Sequence, residues 1–471
     1  MINHLTCLTR RASPLVLALS LAGCMSLAPT YERPAAPVAD SFPDAASARS
    51  ANQAAAEIEW QRFFADPNLT SLIERALENN RDLRMAILNI DQARAQYQIR
   101  RADELPTLNL GVGASRAPNT SGGISNTYSV GFTVSAFELD LFGRIKNLGD
   151  AALAQYLATE EARKTAQITL IASVANVYLS ILADNELLAL TQQTLSGRLE
   201  SLKLVQLKFD NGVVSGLDMQ QAVSLAESAK VTLAQLQRQR AQDINLLTLL
   251  VGQPLPATIA SGSTLATTVL NELPAGLPSD LLRVRPDILQ AEQQLIAANA
   301  NIGAARANFF PRISLTGTAG TASTELGGLF KGGSFGWTFA PQMLLPIFDH
   351  GRNTANLGSA RAGRDIAVAQ YERAIQVAFR EVADALAGQA TFSEQLRAQR
   401  AVADAEANRF GLSDLRYRNG AASYLDLLDA QRSLFSAQQA AVQANLQRLQ
   451  NQVTLYRVLG GGWTEKSTAN R

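Results

Sequence analysis

The sequence predicts a mixed helical and β membrane protein, in which β-hairpins are pooled between chains into a barrel that very long helices continue. Three observations carry this expectation. The 471-residue chain is written twice, with matching residues about 205 positions apart. Each copy holds two segments of alternating apolar and polar residues around a Gly/Ser/Asn turn. Each then runs through about 65 residues rich in Ala, Leu, Gln and Arg, with almost no Pro or Gly.

Composition removes whole classes of function first. Hydrophobic residues make up 47% and charged residues 18%, which suits neither a disordered chain nor one threaded through a bilayer by helices. The formal charge of +1 gives no basic excess for nucleic acid. Two His and two Cys are present, and His4, Cys7 and Cys24 all lie at the N-terminus. A mature chain starting at Cys24 keeps His350 alone, too little for a Cys–His nucleophile, a zinc cluster or a disulfide. Asp349-His350 lacks a nucleophile nearby, and a capping or solvated role is expected there. Neither an enzyme nor a metal protein is expected.

The elements follow in order. Residues 1–23 read as a signal peptide, with Arg10-Arg11 ahead of the apolar run Leu15–Ala22. That run is shorter than the roughly 20 residues needed to span a bilayer. It ends in Leu21-Ala22-Gly23-Cys24, similar to the lipobox of bacterial lipoproteins. An ordinary signal peptide with a chance cysteine is the alternative. Met25 follows where an Asp would mark inner-membrane retention, so the outer membrane is expected. Residues 24–60, rich in Pro and Ala, read as an extended tether.

The first repeat is assigned to 61–256, the linker to 257–278, the second repeat to 279–462 and a tail to 463–471. Helix starts are expected at Asp66-Pro67 and Ser279, with helix running toward Pro106 and Pro311. Hairpins follow at about 106–140 and 311–346. Trp337, Phe335 and Phe339 alternate along one strand, as a lipid-facing stripe would. Long helices are expected at about 145–210 and 352–417, breaks at Asn211-Gly212 and Asn419-Gly420, and return helices at 216–251 and 423–459. Helices of this length must lie along one another. Four strands per chain are too few for a closed membrane barrel, which needs about eight, so several chains must pool them. Three chains would supply about twelve.

These features resemble the outer-membrane factors of tripartite efflux systems, the TolC/OprM-type channels, and most closely their lipidated branch. The matching residues are Leu21–Cys24, Tyr31-Glu32-Arg33-Pro34, Glu138–Arg144, Arg285-Pro286-Asp287-Ile288, Ala300–Pro311 and Leu425–Ala430, spread over essentially the whole chain. The resemblance implies a homotrimer with a twelve-stranded barrel, a long periplasmic α-helical barrel and a mixed equatorial region. It further implies an N-palmitoyl, S-diacylglycerol lipid on Cys24. Its partners would be a periplasmic membrane-fusion adaptor and an inner-membrane resistance–nodulation–division pump, and its role a passive exit duct for drugs and other small molecules. The rival reading, a structural or adhesive lipoprotein of coiled helices, leaves the paired strands unexplained.

Two sets of site residues follow. Asn211, Gly212, Asn419 and Gly420 mark the turns expected at the pump-side tip. Asp426 and Asp429 share a helix face, Arg416-Tyr417 precedes the second turn, and Asp218 is the first-repeat counterpart of Asp426. By position, such carboxylates serve equally as helix N-terminal residues facing the dipole. The resemblance makes them a periplasmic gate, with Asp218 accepting from Arg416 and Tyr417.

Overall fold

The computed structural model describes residues 26–39, 58–118, 122–256, 263–268, 270 and 285–463. The signal peptide, Cys24, Ser279 and residues 464–471 lie outside the described residues. The elements are α1 (Trp60–Phe63), α2 (Pro67–Asn79), α3 (Arg81–Ala102), β1 (Leu108–Pro118), β2 (Ile124–Leu139), α4 (Arg144–Asp210) and α5 (Gly216–Val251), then α6 (Pro286–Ala307), β3 (Arg312–Ser323), β4 (Phe335–Leu344), α7 (Arg352–Arg418) and α8 (Tyr424–Val458). Helices α4 and α7 each run for 67 residues, about 100 Å at 1.5 Å per residue. One stretch of α4 is apolar enough to cross a membrane, but 67% of it is buried in the protein. It is a core helix.

The duplication does not divide the chain into two bodies. Two compact units form, one within Met1–Ala36, Asn89–Glu160 and Gln290–Arg373, the other within Pro37–Leu88, Glu161–Leu289 and Ala374–Arg471. Each unit therefore takes residues from both repeats.

The first unit carries a four-stranded antiparallel sheet in the order β1-β2-β3-β4. Its register sorts the side chains. Leu110, Phe132, Ala319 and Trp337 stand opposite one another across the four strands, as do Val112, Val130, Thr321 and Phe335. The other face carries Thr133, Thr318 and Thr338. Trp337 is 72% exposed and Phe132 54%, so the apolar face is uncovered within the chain. On that polar face, Gly111, Gly131, Gly320 and Gly336 form one row across all four strands. At the two central positions glycine is obligatory, because a Cβ on Gly131 would meet Ala319 O at 2.7 Å and one on Gly320 would meet Val130 O at 2.3 Å. Strands β1 and β4 are the sheet's edges, and each leaves a row of backbone groups to be paired by another chain.

In the same unit, the start of the expected tether is pinned down. Arg33 grips Glu292 of α6 bidentately at 2.7 Å, and Tyr31 donates to the same carboxylate at 2.9 Å. Asn299 and Arg306 donate to Pro29 O and Leu27 O at 2.7 and 2.9 Å. The Tyr31-Glu32-Arg33-Pro34 segment is thus a strap along α6, not a free spacer. Below it, Ala151 and Ala154 of α4 meet Ala297 and Ala300 of α6, small residues that let two helices approach closely.

The second unit is anchored where the chain's apolar ends meet. Phe63 stacks on Tyr456 at 4.2 Å, and Tyr178 donates to the α2 cap residue Asp66 at 2.8 Å. Buried Arg285 binds Asp287, Glu381 and Val458 O. The helix expected to run on from Asp66 breaks instead at Asn80, whose backbone is extended and whose side chain accepts from Leu83 N at 2.9 Å. At the turn before α7, Asp349 accepts from Gly351 N and Asn353 N. Exposed His350 lies against Phe348.

Candidate functional site

The two helical hairpins of the second unit, α4–α5 and α7–α8, end in turns built atom for atom alike. Gly212 and Gly420 adopt φ of 72° and 73°, the left-handed conformation that stops a helix. Val213 N donates to Lys208 O and Ala421 N to Arg416 O, both at 2.8 Å. Gly212 N and Gly420 N reach Phe209 O and Tyr417 O, which completes a Schellman motif in each. Asn211 and Asn419 each donate to the carbonyl four residues back, at 2.7 Å. The returning helices then open on reciprocal capping boxes, Ser215 with Asp218 and Ser423 with Asp426. The helix-end carbonyls and the first N–H groups of the returning helices are thus bonded within each turn, so sharp tips form on local bonds.

Around the second turn the expected gate residues come together, with different partners. Within the chain, the Asp218 carboxylate closes its own capping box with Ser215 at 2.8 Å. Arg416 Nη2 donates to Ala421 O at 3.3 Å, and the Tyr417 hydroxyl accepts from Lys208 Nζ at 3.2 Å. The same ammonium sits 4.6 Å from the Tyr417 ring centroid. The capping bond has a local cause: a carboxylate three residues after a helix-capping serine lies beside a free backbone N–H of its own helix start.

Asp426 is exposed and likewise held by Ser423, whose hydroxyl and backbone N–H keep its pKa below the ordinary carboxylate value; Arg416 adds to that pull. Asp429 is exposed and pairs with Arg409 of α7. Tyr417 and Tyr424 lie 5.4 Å apart at the edge of an apolar cluster of Val205, Ala222, Leu225, Leu427 and Leu428. Burial raises the Tyr424 phenol, so it stays neutral. Lys208 and Arg409 were not singled out from the sequence. They act on Tyr417 and Asp429 from 209 and 20 positions away, and spacing carries no signal at such separations. Among the described residues no cluster of His, Cys, Asp and Glu is arranged to hold a metal.

Comparisons with known proteins agree along the whole chain. The model of the outer membrane efflux protein family matches twice, over residues 72–253 and 277–461. The antibiotic efflux pump outer membrane protein ArpC of Pseudomonas putida is 49% identical over 462 residues, covering 96% of this chain and 95% of that protein. The toluene efflux pump outer membrane protein TtgC of the same species matches with the same identity and coverage. Among solved structures, the open state of the Neisseria gonorrhoeae MtrE outer membrane channel is 41% identical. It superposes with a TM-score of 0.86 over 93% of this chain and 99% of that one.

Proposed function

The chain belongs to the outer membrane efflux protein family, and from that premise we propose that its two helical turns form the pump-side tip of an exit duct whose periplasmic end closes around Arg416, Tyr417, Asp426 and Asp429. The protein is an outer-membrane channel of a tripartite efflux system, not an enzyme, and its fold is that of the trimeric channels. It works with a periplasmic adaptor and an inner-membrane pump, which supplies the energy. The observation that carries the duct is the sheet. Four strands with two open edges, one face apolar and one polar, close only by joining copies of themselves, lipid outside and water within.

The closure reading is supported by position and by the Lys208–Tyr417 and Arg409–Asp429 contacts, which tie α4 to α7 and α7 to α8 just above the turns. The cognate partners are read as a membrane-fusion adaptor and a resistance–nodulation–division pump. Anchoring is read as a diacylglycerol thioether and N-palmitoyl amide on Cys24, from Leu21-Ala22-Gly23-Cys24. Relatives equally similar to this chain are named for toluene and for antibiotics, so cargo choice is assigned to the pump. Planar-bilayer recording of purified trimers tests the duct. Small, flickering conductance that rises when the Arg416 and Tyr417 contacts are removed supports closure at this end. A wide, constant wild-type conductance would place the constriction elsewhere. Mass spectrometry of the mature N-terminus tests the lipid, and an unmodified Cys24 refutes it.

A further inference from the structure

Arg198 is a buried cation without an anion. It sits on α4 in the second unit and is 5% exposed. Its Nη1 donates to Leu225 O at 3.0 Å, its guanidinium lies 5.1 Å from the Phe435 ring centroid, and its Nε has no hydrogen-bond partner. Among the described residues no carboxylate is paired with it. Burial, and then the like charge of Arg432, lower its pKa. A guanidinium removed from water and left uncompensated is costly, because its desolvation is offset only by partners of opposite charge.

The same arginine lines a cavity of about 690 Å³ between α4, α7 and α8, a volume within the range of small-molecule sites. Leu204, Phe410, Leu434 and Phe435 give the cavity an apolar side, and polar side chains including Gln193, Glu200, Asp414 and Arg418 line the rest. A second orphan belongs to the same lining, since the side-chain oxygen of Gln431 is buried without a partner. Two carboxylates line the cavity, Glu200 and Asp414; neither forms an ion pair with Arg198, and Asp414 is bound by Arg418 at 2.8 Å.

We propose that this cavity is a binding site for a small amphipathic organic carboxylate, its carboxylate on Arg198 and its aryl or alkyl body against Phe410, Leu434 and Phe435. An anion supplies what Nε lacks, a hydroxyl or amide donor on the ligand would satisfy Gln431, and the apolar walls take the body. Inorganic anions would meet the arginine but leave those walls empty. On the closure reading above, an occupant bears on Tyr417, which shares the cavity wall. Binding itself does not depend on that reading.

The test is calorimetric titration of the intact detergent-solubilised trimer with 4-bromobenzoate, its neutral isostere 4-bromobenzamide and inorganic phosphate, against a micelle blank. Saturable benzoate binding, one per chain, is expected, with the amide weaker by about tenfold or more, the worth of a hydrogen bond to a charged group. Arg198→Gln should weaken benzoate to a similar degree. Gly197→Phe should weaken or abolish binding with the fold kept, because Gly197 lines the cavity and a Cβ there meets nothing within 4 Å. Bromine anomalous density in soaked crystals should lie between α4, α7 and α8. Equal binding of benzamide, binding unaffected by both variants, phosphate binding as tightly as benzoate, or no saturable binding in the millimolar range would each overturn the proposal. None of these outcomes bears on whether the duct closes at its turns, which conductance reads separately.

Discussion

Arg409 Nη2 lies 3.0 Å from Asp429 Oδ2 and donates to Ser433 Oγ at the same distance, so the carboxylate expected to face the pore carries its own counter-charge. Both side chains are largely exposed, and such a pair adds at most about 1 kcal/mol to stability. Its consequence is the local field. Arg409→Gln should leave trimers intact and raise the preference for cations, while Asp426→Ala with Asp429→Ala should lower it. Reversal potentials in a salt gradient measure both. Unchanged selectivity in the two variants would return these residues to a purely local role.

Lys208 and Tyr417 share one bond, which gives a sharper test of closure than either alone. Tyr417→Phe and Lys208→Met each remove that hydrogen bond, worth about 1.5 kcal/mol at the lower end for a charged donor, and Lys208→Met also removes the ammonium from the ring face. Each should raise resting conductance, and the double variant should add little to either single one. Fully additive effects would separate the two residues.

The glycine row predicts a contrast within the sheet. Gly320→Val drives a Cβ into the Val130 carbonyl, and heat-resistant trimers should be lost from unboiled gels. Gly336→Val lies in the same row but meets nothing within 4 Å inside the chain, and trimers should be lost less than in Gly320→Val. Equal yields would mean that the central strands do not approach as closely as described.

At the turns, the constraint is conformational. A Cβ on Gly420 has open space around it, so only its φ of 73° opposes substitution. A β-branched residue there costs roughly 1–2 kcal/mol, whereas Asn tolerates the left-handed region. Gly420→Val should impair drug resistance and adaptor crosslinking while Gly420→Asn preserves both. Full resistance in the Val variant would move the tip elsewhere.

Asp184 on α4 is a pH-sensitive point in the second unit. Burial, and then the Asp243 carboxylate facing it, push it up to about 7, against a smaller opposite pull from Arg240. A raised native pKa means that the folded protein binds the extra proton, so this contribution is fully present below the ordinary value near 3.8 and is lost as pH rises to about 7. Asp184→Asn should flatten the fall in melting temperature between about pH 4 and 7. A wild-type slope in that variant would assign the dependence to other groups.

Local grammar was legible in the chain because its causes are local. Asn-Gly followed three residues on by Ser and six on by Asp writes a helix stop and a capping box within eight positions, and both turns formed on those residues. Alternation in β4 placed Phe335, Trp337 and Phe339 on one face, since strand period needs no distant partner. The duplication carried each reading from one half to the other.

What only the tertiary structure decided are the pairings between residues far apart in sequence. The strap over α6, the partners of Tyr417 and Asp429, and the orphaned Arg198 all depend on which helices come to lie side by side. Periodicity states which face of a helix is buried; it does not state against what. The charge that meets Asp429, and the charge that never meets Arg198, are set by packing alone.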